Sequence, residues 1–217
     1  MLIDVTQPIF TGMPKARTLP DVRVEPMLCR SRGDALDTSL LTIASHAGTH
    51  VDAPSHRILG GATIDQLDVA RFTGPGVVAS VRRAPGELIT VQDVENGGPP
   101  VQGGDMLLLD TGWAAHFGSE QYYDHPSLDP ELASWLVEKG VTMVAGDLAT
   151  PDLAIPRRDE GFDFPIHDIL LGNDVLVAEN LAGLQDAAGR RVIVHAFPLL
   201  VRGGDAGHVR MVLDLGE

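Results

Sequence analysis

The sequence predicts an α/β fold, a mixed sheet with flanking helices, in one domain spanning residues 1–217. Three observations carry that reading. Residues 106–109 (MLLL) form a near-continuous apolar run, as expected of a strand buried on both faces. Residues 129–140 carry helix punctuation at both ends, and residues 141–144 then read as a second buried strand. Strand, helix and buried strand make a βαβ-like crossover. Apolar residues at 44% and charged residues at 21% belong to a globular chain that buries a sizeable core.

Taken in order, residues 2–5 are a short opening strand. An extended N-terminal arm (about 11–35) follows, punctuated by Gly and Pro at its start and too polar to make a core of its own. It is expected to pack on the body or on a second subunit. Within it residues 22–27 read as a strand, and residues 36–45 (LDTSLLTIAS) as a better one, rich in β-branched and apolar residues. Beyond Gly60-Gly61, Ile64, Leu67 and Val69 are expected core positions, and residues 77–81 a strand. Thr90 is the expected N-cap of a helix that stops at Gly97-Gly98-Pro99-Pro100. In the clearest helix Asp129 is the N-cap, Pro130 the first-turn proline and Gly140 the terminating residue, with Leu132, Leu136 and Val137 at helical spacing. Residues 148–164 read as a loop whose Arg157-Arg158-Asp159-Glu160 run is solvated surface; loops this long usually do something, such as covering a site. Residues 175–178, 192–197 and 209–215 complete the strands.

Chemistry concentrates in residues 45–56, SHAGTHVDAPSH. Imidazole nitrogen and carboxylate oxygen suit zinc, manganese or iron. A helix would put Asp52 about 200° round from His50 at ~100° per residue, and Gly48, Val51 and Pro54 oppose helix formation. A straight strand would hold His46 and His50 about 13 Å apart at ~3.3 Å per residue. The chain must therefore arrive as a strand, bend near Gly48 and turn again at Ala53-Pro54, gathering His46, His50, Asp52 and His56 into one pocket.

This stretch resembles the H-x-G-T-H-x-D-x-P-x-H signature of the metal-dependent cyclase family, which includes bacterial kynurenine formamidases and isatin hydrolases. The resemblance implies a barrel-like β core of the swivelling β/β/α type. It implies that His46, His50 and Asp52 bind a divalent metal and that His56 is the catalytic proton-transfer residue. By composition alone His167 is a capping or surface residue and Glu179 a strand-end carboxylate. Their segment, PIHDILLGNDVLVAENL, is similar to the family's F-P-x-H…L-x-G…x-E-N-L pattern, which implies a second metal position at His167 and Glu179 bridged by Asp52. One or two ions, zinc or manganese, are compatible with the resemblance.

Asp110-Thr111-Gly112-Trp113 resembles the family's R-T-G-W segment, and Trp113 and Phe117, with Tyr122 and Tyr123, are expected either to wall an aromatic substrate pocket or to form a satellite cluster under the loop. For Asp147 the resemblance implies either a conformational or supporting role or a catalytic one. His116, His125, His195 and His208 are expected to be structural, and Cys29 buried or inert. Kynurenine formamidases carry an aromatic W-P-G-D segment near the N-terminus; here TGMPKARTLPD stands instead, which separates the metal chemistry from N-formylkynurenine as the substrate.

The expected function is metal-dependent hydrolysis of a small amide C–N bond, arylformamidase-like, by metal-activated water with His56 as acid and base. A cyclic amide (isatin-like) or a lactone is the alternative substrate, and a non-catalytic metal- or ligand-binding module the alternative outside enzymes. Gly-x-Ser-x-Gly is absent, which weighs against a serine formamidase. A formal charge of −14 argues against nucleic acid or an anionic membrane as partner. One cysteine, no signal-peptide pattern and no long apolar span fit a cytoplasmic setting. The arm and the resemblance imply a homodimer or homotetramer.

Overall fold

The strand at 106–110, which contains the apolar run, lies at the middle of the main sheet and is buried along its whole length. The structure is a computed structural model that describes residues 1–216. In chain order its strands are β1 (Leu2–Asp4), β2 (Arg23–Leu28), β3 (Thr38–Thr42), β4 (His50–Asp52), β5 (Thr73–Ser80), β6 (Leu88–Ile89), β7 (Met106–Asp110), β8 (Ser127–Leu128), β9 (Met143–Gly146), β10 (Leu176–Glu179), β11 (Arg191–His195), β12 (Ala206–His208) and β13 (Val212–Asp214). The α-helices are α1 (Val91–Gly97), α2 (Pro130–Lys139) and α3 (Pro165–Gly172).

Nine strands make one curled mixed sheet in the order β1-β13-β11-β5-β7-β9-β10-β4-β12. The central run β5-β7-β9-β10 is parallel, and β4 and β12 continue it antiparallel at one side. The expected crossover is present: β7 and β9 are parallel neighbours with α2 between them in sequence. Asp129 accepts a hydrogen bond from the Glu131 amide, Pro130 opens the first turn, and Gly140 ends α2 in the left-handed region at φ 75°. Thr90 caps α1 reciprocally with Asp93.

Strand alternation sorts the core into two faces. Val51, Met106, Leu108, Ala145, Leu176 and Ala178 pack on one. Leu107, Leu109, Val144 and Val177 pack on the other with α2 and α3 residues Leu132, Leu136, Ile166 and Leu170. Because Val51 faces the first cluster, His50 and Asp52 face the helices. Register then places Glu179 of β10 opposite His50, on that same face.

Several expectations are corrected. Val69 is 65% exposed, while Ile64 is buried and Leu67 packs against the core. The strand expected at 36–45 shortens to β3 and pairs with β2 in a separate two-stranded sheet, with Leu40 and Leu41 about half exposed. The 209–215 strand shortens to β13, and the three residues of β12 before it are too short for a periodic signal. Helix α3 also escapes the pattern: it has eight residues and starts at a proline that reads as a breaker but occupies the first helical turn.

Candidate metal centre

The local sequence folds as its bends require. Gly48 takes φ +71°, which a side chain adopts only with strain, and an added Cβ would lie 2.9 Å from Met13 Cε. Thr49 donates to the Asn180 carbonyl (2.7 Å) and accepts from the Gln7 amide (2.8 Å), fixing the start of β4. After Asp52, extended Ala53 leads into a 3₁₀ turn at Pro54–His56. His46 is thereby brought back beside His50, ring centroids 5.0 Å apart, and His56 beside His46 at 4.0 Å.

Asp52 lies at the centre, fully buried. Its Oδ1 is 2.9 Å from His46 Nδ1 and 3.2 Å from His50 Nε2; its Oδ2 is 3.4 Å from His167 Nε2. Glu179 closes the ring, Oε2 3.5 Å from His50 Nε2 and Oε1 3.3 Å from His167 Nε2. All five sequence-assigned metal residues, His46, His50, Asp52, His167 and Glu179, therefore converge. His167, which composition alone places at a surface, is buried on α3 and turned toward Asp52.

Each histidine is held from behind. His50 Nδ1–H donates to the Gly48 carbonyl (2.8 Å), so its Nε2 carries a bare lone pair when the ring is neutral. His46 Nε2 pairs with Asp205 Oδ2 (2.8 Å), and His167 Nδ1 with Asp152 Oδ2 (2.5 Å). Asp152 is itself fixed by the Ile166 and His167 amides at the start of α3. Orienting partners of this kind set the tautomer and basicity of metal-binding imidazoles. Sequence reading missed both. Asp152 sits among the acids of the 148–164 loop without distinguishing pattern, and Asp205 in a glycine-rich turn arrives only through the pairing of β12 with β4.

The residues fit a divalent cation. Both Asp52 oxygens are buried, and neither makes an aligned hydrogen bond despite the surrounding nitrogens. A buried carboxylate without aligned hydrogen bonds is costly, and a cation among these donors offsets the cost. Donor atoms of His46, His50 and Asp52 lie within 4.8 Å of one another, as do those of Asp52, His56 and His167. Without a cation, protons take its part. Burial opposes the charged form of His46, yet Asp52 and Asp205 outweigh it and raise its pKa to about 9. His167 is raised well above the imidazole range by Asp152, Asp52 and Glu179 against the same burial penalty. Burial also opposes the charge on Asp52, but His50 and the adjoining imidazoles hold its carboxyl well below the usual range.

His56 differs from the others. It is partly exposed, sits 3.8 Å from Asp205, and has its pKa lowered mainly by burial, against the pull of Asp52. It lines a cavity of about 430 Å³ with His46, His167 and Glu179; residues 14–19 of the arm, Tyr123, Arg158 and Phe164 form other parts of its wall. Trp113 and Phe117 are not in that wall. Trp113 is core, its indole N–H donating to the Tyr122 carbonyl (3.0 Å), and Phe117 stacks edge-on against Tyr122 in the satellite arrangement. Asp147 is a clamp on the 111–114 turn, accepting from Thr111 and the Ala114 amide. His125 is fully buried, and Cys29 is partly exposed rather than buried.

Fold and site together define an α/β protein with a candidate histidine–carboxylate metal centre on the helical side of its sheet. The Cyclase family profile matches residues 3–153, and the chain belongs to that family. It is 27% identical over 212 residues to a kynurenine formamidase of Bacillus cereus, covering 97% of this chain and 96% of the relative. To one of Erythrobacter litoralis it is 26% identical over 210 residues, covering 97% and 92%. Among solved structures it is similar to a potential metal-dependent hydrolase with cyclase activity (TM-score 0.81, 27% identity, 100% and 98% of the two chains). Isatin hydrolase A from Ralstonia solanacearum shares the fold (TM-score 0.84, 22% identity, 98% and 91%).

Three outcomes follow from this geometry. Asp205→Asn is expected to weaken metal affinity by about 10-fold or more, read by competition with a chelating dye; an unchanged affinity would remove Asp205 from the support of His46. Protonation of His46 stabilises the metal-free fold fully below about pH 6.5, its ordinary value, and this contribution is lost as pH rises through about 9. The thermal midpoint of the metal-free chain should therefore fall across that window. Metal binding in the same window should release protons, seen as a buffer-dependent calorimetric heat.

Proposed function

We propose that this chain is a metal-dependent hydrolase of small amides, cleaving the C–N bond of an arylformamide-like substrate. The observation that carries the reading is the buried Asp52 carboxylate, faced by three imidazoles that are each tied at the opposite nitrogen or side. Relatives over nearly the full length of the chain are kynurenine formamidases, which supports the formamide class.

His46, His50 and Asp52 would hold one divalent cation, zinc or manganese; His167, Glu179 and the second Asp52 oxygen would hold another where two are bound. A cation there supplies Lewis acidity, polarising a carbonyl and making water a nucleophile near neutral pH. The protein's own part is orientation and proton transfer. Asp205, Gly48 and Asp152 keep the imidazoles turned inward. The cavity receives the substrate beside them and partly shields it from solvent. His56 reaches the cavity with, among the described residues, no carboxylate closer than 3.8 Å to pin its charge, and burial favours its neutral form. It is therefore poised to take a proton and return it to the departing nitrogen. A binding module has no use for such a residue.

His56→Ala is expected to keep stoichiometric metal and lose at least about 10²-fold in turnover of formanilide, whereas His50→Ala should lose the metal. Elemental analysis and a formate-release assay read the two effects separately. Full activity with full metal in His50→Ala would overturn the reading, and turnover confined to isatin-like rings or lactones would replace the substrate class.

A further inference from the structure

The chain has a net charge of −14, yet Lys15, Arg17, Arg57 and Arg158 all line the cavity, where Glu179 is the one acidic wall residue among the described residues. Three of these cations are neutralised within the protein. Lys15 pairs with Asp21 (3.4 Å), Arg17 with Glu120 (2.8 Å), and Arg57 with Asp168 through two of its nitrogens. Arg158 is different. Among the described residues no carboxylate lies within 4.0 Å of it, and its recorded hydrogen bond runs from Nε to the Leu153 carbonyl (2.7 Å). That bond fixes the base of the guanidinium and leaves its terminal nitrogens free.

The group is also held in place by packing. Its Cζ sits 4.9 Å from the Phe162 ring centroid and 4.6 Å from that of Phe164, and Phe164 in turn packs against His167 at 6.3 Å. Cation–π stacking orients a guanidinium without neutralising it. About half-buried, Arg158 has its pKa lowered by burial, against the more distant pull of Asp152 and Glu179. A rigid, partly desolvated fork with free donors, in the wall of a cavity that ends at the metal residues, matches a planar oxyanion.

We infer that Arg158 is a specificity-determining residue that binds a carboxylate on the substrate, so that the favoured substrates are anionic amides. The inference rests on the cavity being the substrate site of the proposed hydrolase. Phe164 would lie alongside the portion of the substrate joining the carboxylate to the amide, and the 148–164 loop would thereby contribute selectivity.

Calorimetry with the metal-loaded full-length chain tests this without requiring turnover, using 4-acetamidobenzoate and its neutral counterpart acetanilide as probes. Wild type is expected to bind the carboxylated amide at least about 10-fold more tightly. Arg158→Gln should bring the ratio of the two affinities close to one, and Arg158→Lys, which keeps the charge but loses the fork, should lower it by several-fold. A circular-dichroism melt checks that each variant folds, and the lysine variant alone decides if the glutamine variant does not. A wild-type ratio of one overturns the inference. So does a ratio untouched by both substitutions, which would place the carboxylate on the cation or another side chain. Failure to hydrolyse any formamide would instead remove the hydrolase reading, leaving the affinity ratios to be judged separately.

Discussion

A carboxylate at zero solvent exposure is the constraint around which this molecule is arranged. Burying an isolated carboxylate costs on the order of tens of kcal/mol in an apolar medium, and the sheet nonetheless places Asp52 on β4 between β10 and β12. The fold tolerates it because positive charge is guaranteed from several directions. Two imidazoles come from its own segment and one from α3. The same imidazoles cannot swing away, since a carbonyl or carboxylate holds the far nitrogen of each. Proton or metal ion, some cation belongs at this place.

How much of this was legible in the sequence depended on range. The bend at Gly48, the turn at Ala53-Pro54 and the meeting of His46, His50, Asp52 and His56 follow from local geometry, because one short segment carries them all. The α2 helix and its flanking strands were legible for a similar reason: cap, period and terminator lie within a dozen residues. His167 and Glu179 were accessible only through resemblance, since nothing in their own neighbourhood distinguishes a metal-facing imidazole from a surface one. Asp205 and Asp152 were not accessible at all. Asp205 meets His46 from 159 positions further along the chain, by way of a three-residue strand.

Aromatic residues misled for a different physical reason. Trp113 follows a buried strand whose end points toward the site, yet the left-handed turn at Gly112 sends the indole into the core. The residues that do wall the cavity, such as those at 14–19 and Arg158, come from stretches that read as a polar arm and as solvated surface. Composition describes where side chains are soluble. It does not say which of them a neighbouring aromatic pair will capture.

That division of the cavity has an evolutionary corollary. Most donor side chains ride on β4, β10 and α3, where a substitution disturbs the packed sheet, whereas much of the opposing wall is contributed by irregular backbone that no ladder of strand bonds restrains. Descendants of such a protein are free to trade one clientele for another by editing two surface segments. The inherited reactive machinery beneath them stays as it was.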